Sequence, residues 1–178
     1  IRFDVAGFTN LSHDHLDDYA DMEEYFEAKL PLFRPDRALR GVVCIDSASG
    51  ATVVERAEIP IVTVGTPSIA ADSDAAARAD WVVVIDDERT TGTTFTLTGP
   101  AGSLTTVVPV IGPHMAANAA LAIVMLLEGG YSWDRIVAAL ERDGGIEAYL
   151  PGRTRLVSGD SGPAVFVDFG HSPDAFEK

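Results

Sequence analysis

The chain has 178 residues, with 13 Lys+Arg against 27 Asp+Glu, a formal net charge of −14 and 47% apolar residues. This is globular rather than disordered composition, and no run approaches the roughly 18 consecutive apolar residues of a membrane span. The acidic balance lacks the basic patch that nucleic-acid recognition needs, so neither membrane nor nucleic acid is an expected partner. The single cysteine, Cys44, rules out a disulfide framework and fits a reducing, cytoplasmic setting. The positive charge is almost all Arg. The two lysines are Lys29 and the final residue, Lys178.

In chain order, the first readable element spans 21–33. Asp21 with Glu24 three residues on has the form of a capping box, and Pro31 is expected to end the helix. Met22, Tyr25, Phe26 and Leu30 form one helical stripe. Lys29 lies about 20° from Met22, near the middle of that stripe. A lysine centred on an apolar face is unusual. Residues 41–46 (GVVCID) read as a strand buried on both faces, 50–57 as a short helix, and 59–64 as another strand. Residues 72–80 read as a weak helix or loop. This alternation predicts an α/β parallel sheet.

Thr/Val-rich strands follow over 81–86, 93–98 and 103–110, with Gly99-Pro100-Ala101-Gly102 as a turn between the last two. They predict an antiparallel addition to the parallel sheet. A buried helix is expected over 115–128, stopped by Gly129-Gly130, and a second helix from Ser132 to about Arg142. The glycines and Pro151 within 143–152 mark the best boundary. Beyond it, 164–168 (AVFVD) reads as a fresh buried strand. Ser172 then reads as the N-cap of a helix whose first residue is Pro173. A helix beginning there, and the absence of Met and of a signal-peptide pattern at Ile1, lead to the expectation of a fragment of a longer protein.

Several clusters suit chemistry. His13-Asp14-His15-Leu16-Asp17-Asp18 is dense enough in imidazole and carboxylate to hold a divalent cation, and reads equally as a polar loop leading into a helix. A buried Lys29 would favour the neutral amine, which reacts with CO₂ to give a carbamate; a snorkelling stem is the alternative. Asn118, in Gly112-Pro113-His114-Met115-Ala116-Ala117-Asn118, suits an adenine edge at a helix start, and the segment reads more simply as an ordinary helix entry. Arg153 follows a hinge-like turn and Asp168 ends a strand, where ligands of open α/β sheets bind, and either reads equally as surface structure. No Gly-x-x-x-x-Gly-Lys-Ser/Thr occurs within these residues, so no phosphate-cradling loop lies among them.

Three stretches together resemble the Mur ligase family, and within it the ligases that add the third residue of the peptidoglycan stem peptide. They are Phe8-Thr9-Asn10-Leu11-Ser12-His13-Asp14-His15-Leu16-Asp17, Asp21-Met22-Glu23-Glu24-Tyr25-Phe26-Glu27-Ala28-Lys29, and Val167-Asp168-Phe169-Gly170-His171-Ser172-Pro173-Asp174-Ala175. The family patterns resemble FTNLSRDHLD, DM-x-x-Y-x-x-AK and VDYAH-[ST]-PDAL. His13 stands where Arg is usual, Met115 where the first Asn of G-x-x-N-x-x-N is usual, and Phe169-Gly170 replaces Tyr-Ala.

The resemblance implies an α/β fold. Residues 1–150 would be the second half of a parallel-sheet, P-loop-type central ATPase domain with its antiparallel addition. Residues 151–178 would be the first strand and helix start of a Rossmann-like C-terminal domain. It implies ATP and Mg²⁺ as cofactors. It makes His15 a magnesium ligand, and Lys29 the lysine whose carbamate helps hold a second Mg²⁺ near the γ-phosphate. Asn118 and Arg153 would contact ATP, and Asp168 would meet the nucleotide. The implied reaction joins diaminopimelate or lysine to UDP-MurNAc-L-Ala-D-Glu through an acyl phosphate, forming ADP. The full-length enzyme would be a monomer. This chain alone would be inactive and free to dimerise through an exposed sheet edge. The competing readings are another Mur-like or folylpolyglutamate-type ligase, and a degenerate module kept only for binding.

Overall fold

A computed structural model describes residues 1–12, 19–147, 151–158 and 162–170. Six strands form one sheet in the order of the sequence. They are β1 (Phe3–Phe8), β2 (Ala38–Cys44), β3 (Ile61–Gly65), β4 (Trp81–Arg89), β5 (Gly92–Gly99) and β6 (Gly102–Val108). β1 to β4 pair in parallel, and β4, β5 and β6 antiparallel. This is the expected parallel sheet with an antiparallel addition. β1 lies where the pattern reading places no element.

Between the parallel strands run α1 (Met22–Lys29), which continues as a 3-10 turn over Leu30–Phe33, then α2 (Ala48–Arg56) and α3 (Ser73–Ala76). Successive right-handed crossovers in one direction place such connections on one face. The core agrees: Ala6, Phe8 and Val43 of the strands pack with Phe26, Phe33 and Val53. The other face holds α4 (Pro113–Glu128) and α5 (Trp133–Asp143). There Val42, Val64, Val83, Phe95 and Leu97 pack with Ala120, Leu121 and Val124. Neighbouring Val42 and Val43 thus serve opposite cores, which explains the unbroken apolar run of β2. α4 touches every one of the six strands.

The helix signals act largely as the sequence predicts. Asp21 Oδ1 accepts the Glu24 N–H at 2.8 Å, while Glu24 Oε2 accepts the N–H of Ala20 at 2.6 Å. Pro31 ends the α-helix but is accommodated in the 3-10 turn. Ser132 occupies the N-cap of α5, yet its hydroxyl makes no capping bond. The outer face of the antiparallel half carries a ladder of hydroxyls. Thr96 bonds Thr105 at 2.8 Å and Thr98 bonds Ser103 at 2.9 Å.

The segment past the boundary differs from its reading. β7 (Arg155–Leu156) and β8 (Phe166–Val167) form a separate two-stranded antiparallel sheet. The strand expected over 164–168 is therefore two residues long and not buried: Val165 is 48% and Val167 49% exposed. The apolar run has no covering layer among the described residues. The helix expected from Ser172 lies outside them. So do His15 and the rest of 13–18.

Candidate functional site

Because β1 to β3 are parallel, their carboxyl ends open on one side, where ligands of open α/β sheets bind. β1 runs out into Thr9–Ser12, β2 into Ile45-Asp46-Ser47, and β3 into the loop 66–71. The start of α4 joins them. Gly112 there has φ +116, and a Cβ would lie 2.5 Å from His114 Cε1, so only glycine fits. Thr93, fully buried, fixes this corner: its Oγ1 accepts the Gly112 N–H at 3.0 Å and donates to the Val110 carbonyl at 3.1 Å. α2 approaches closely too, since a Cβ on Gly50 would lie 2.0 Å from the Cys44 carbonyl oxygen.

Two clefts lie side by side here. One, of about 290 Å³, is lined by Asn118, His114 and Ala117 of α4, by Asp46 and by Ile69. The other, of about 370 Å³, is lined by Lys29, Tyr25 and residues 7–12. Thr9 and Asn10 line both. Their side chains and that of Asn118 are exposed and have no hydrogen-bond partner among the described residues. The sequence reading names Asn118 and Lys29, and the fold brings their clefts together across Thr9 and Asn10.

Lys29 itself corrects one expectation. The stripe Tyr25–Phe26–Leu30 is buried, but Lys29 is exposed at its rim. An eight-residue helix docked through Tyr25 and Phe26, with Leu30 following in the 3-10 turn, buries a narrower arc than the pattern suggests. The Lys29 ammonium instead stands over the face of Tyr25, 4.9 Å from the ring centroid.

Asp46 is a site residue that the sequence reading passes over. Its Oδ1 accepts the Thr66 N–H at 2.6 Å, and its Oδ2 accepts the thiol of Cys44 at 3.1 Å. Burial, and then the nearby Asp46 carboxylate, push the Cys44 thiol up to about 12. The Thr66 contact crosses from one strand end to the next, 20 residues on, so no local pattern signals it.

Arg153 and Asp168 belong to the β7–β8 unit and line neither cleft. Arg153 stacks over Phe169, 5.6 Å from its centroid. Asp168 Oδ2 accepts the Thr154 N–H at 2.6 Å and hydroxyl at 3.2 Å, and Oδ1 accepts the Gly170 N–H at 2.6 Å. Slight burial works upward on this carboxyl, but those N–H groups, the hydroxyl and Arg153 outweigh it and hold it below its usual value. Among the described residues no group of three His, Cys, Asp or Glu is placed to hold a metal ion.

A mainly parallel sheet with helices on both faces and two adjoining clefts at its strand ends places the chain among the α/β folds. The comparisons narrow this. A family profile described as the Mur ligase middle domain matches residues 1–126. The chain belongs to the Mur ligase family. It is 58% identical over 177 residues to a UDP-N-acetylmuramyl-tripeptide synthetase of Leifsonia xyli, covering 99% of this chain and 33% of that protein. It is 37% identical to a UDP-N-acetylmuramoyl-L-alanyl-D-glutamate–2,6-diaminopimelate ligase of Streptomyces coelicolor, covering 98% and 33%. A crystal structure of MurF from Acinetobacter baumannii superposes with a TM-score of 0.77 at 21% identity, covering 97% of this chain and 35% of that one, and shares the fold. The chain thus spans about a third of the length of the curated relatives it matches.

Proposed function

We propose that the chain forms one wall of the nucleotide and metal site of an ATP-dependent, ADP-forming acid–amino-acid ligase of peptidoglycan assembly. Its substrates would be UDP-MurNAc-L-Ala-D-Glu and a third amino acid, diaminopimelate or lysine. The observation that carries this is the shared wall: Thr9 and Asn10 line both the Asn118 cleft and the Lys29 cleft. One ligand with a base at one end and phosphates at the other can occupy both clefts.

The residues present fit a nucleotide. The unpartnered amides and hydroxyl of Asn118, Asn10 and Thr9 can bond a base and phosphate oxygens, and a helix start favours anions. In this reading Asn118 takes the base edge, and Arg153 and Asp168 reach the nucleotide from the following domain. They fit Mg²⁺ only with a change at Lys29, because an ammonium offers no lone pair to a cation. Its carbamate offers two oxygens, and His15 would add a ring nitrogen. Bound Mg²⁺ would supply charge neutralisation for phosphoryl transfer. Residues 151–178 would begin the next domain, and residues 1–150 would belong to the central one.

The test is ADP release by the full-length protein with ATP, Mg²⁺, the UDP-MurNAc-dipeptide and each candidate amino acid. Amino-acid-dependent ADP formation is expected, falling in CO₂-depleted buffer and returning with bicarbonate. No dependence on either the dipeptide or the amino acid would overturn the proposal.

A further inference from the structure

The cleft beside α4 has a wall from a second element. Ile69, in the loop between β3 and α3, lines it and is left 40% exposed, although it is a large apolar side chain. That loop hangs from a single residue. Asp46 Oδ1 accepts the N–H of Thr66 at the start of the loop, at 2.6 Å, and the Asp46 carbonyl accepts the N–H of Ala71 at its end, at 2.9 Å. Between these anchors, the N–H groups of Ile69 and Ala70 both donate to the Thr66 carbonyl, at 3.0 and 3.1 Å. The Cys44 thiol bonds the second carboxylate oxygen and so fixes its direction. Thr66 is fully buried with its hydroxyl unpartnered, so its backbone bond to Asp46, not its side chain, holds it in place.

An exposed isoleucine on one element and an unpartnered amide, Asn118, on another make a slot for a flat ring with a polar edge. We infer that Asp46 is a positioning residue of the nucleotide cleft, holding the 66–71 loop so that Ile69 forms the apolar wall for the base. This rests on the nucleotide reading above and adds the device that shapes its base subsite. Asp46 also sits where three elements meet. Ser47, the next residue, caps α2 through the Gly50 N–H, so strand end, loop and helix start are set by neighbouring residues.

The experiment uses the full-length protein, with ADP binding followed by calorimetry and steady-state kinetics in ATP. Ile69→Ala removes the wall and leaves its anchor. It is expected to weaken ADP binding and raise the KM for ATP by about tenfold, with little change in kcat. Asp46→Ala releases the side-chain anchor at Thr66 and leaves the main-chain one at Ala71. It is expected to do the same and also to speed amide exchange in the 64–72 segment, which Ile69→Ala leaves as it was. Asp46→Asn keeps an acceptor for Thr66 and is expected to stay within about threefold of the native protein. A double Asp46→Ala, Ile69→Ala variant is expected to be no worse than either single one, because both lose one wall.

Native ADP affinity in Ile69→Ala would overturn the inference, and would do so even if Asp46→Ala failed to fold. Faster exchange in Asp46→Ala with unchanged ADP affinity would overturn it too. So would a fall in kcat without a rise in KM. No ADP binding by the native protein would overturn the nucleotide reading itself, and the inference with it.

Discussion

Replacing Thr93 by Val tests how the start of α4 is held. The two side chains have nearly the same shape, so the substitution removes a hydroxyl and leaves the packing. That hydroxyl accepts from Gly112 and donates to Val110, both in buried surroundings. The change therefore strands one N–H and weakens the satisfaction of one carbonyl. A buried unsatisfied group costs about 1–3 kcal/mol, and a carbonyl tolerates it better than an N–H, so about 2–4 kcal/mol is expected. With a urea m-value of about 2 kcal/mol/M, the midpoint should fall by about 1–2 M. Trp81 and Trp133, whose rings lie 5.0 Å apart across the core, supply a fluorescence signal for the transition. Thr93→Ser is the control. It keeps the hydroxyl, loses one methyl, and should cost about 1 kcal/mol. A Thr93→Val loss no larger than that of Thr93→Ser would refute the reasoning.

Lys29→Arg keeps a positive charge but cannot form a carbamate. Since Lys29 is exposed, stability should change by no more than about 0.5 kcal/mol, while ADP formation by the full-length enzyme should fall at least about 100-fold; retained turnover would remove the carbamate from the mechanism. Cys44 should resist disulfide-exchange reagents at pH 8 in the folded chain and react on addition of urea, as peptide mass analysis would show. Its raised value also sets a sign. The folded chain holds this proton up to about 12, against 9.0 for the free thiol, so the stability involved is complete below pH 9 and is lost as pH rises towards 12. Cys44→Ala should flatten that decline in urea titrations between pH 9 and 11, and an unchanged slope would count against the burial argument.

Where local chemistry and tertiary role agree, the elements are legible in the residues alone. The run Val42-Val43-Cys44 is apolar without a break because each neighbour faces a different core. Gly99-Pro100-Ala101-Gly102 turns β5 into β6, pairing Gly99 with Gly102. β1 is harder to read because its burial is uneven along its length. Phe3 and Asp4 are exposed, and only Ala6 and Phe8 are deeply buried, so no period stands out. The β8 region shows the opposite fault: an apolar run invites a buried strand, but burial needs a second layer that the run cannot itself supply. Within the candidate site, the motifs around Lys29 and Asn118 single out two residues that line adjoining clefts. Asp46 and Ile69 carry no such motif, because they reach the cleft through a loop that meets a strand end 20 residues away in sequence.

The way α4 spans the sheet has a consequence for assembly. Each strand is laid beside the one before it, so the sheet can grow in chain order, but β1, β2 and β3 reach their parallel partners only across long crossovers, which makes their pairing slow. The layer that covers Val42, Val64, Val83, Phe95 and Leu97 comes only with residues 113–128. Until then one whole side of the sheet is wet. A product terminated at Gly112 would contain all six strands and lack the helix that touches every one of them. It would be a sticky intermediate, prone to self-association, rather than a smaller stable domain.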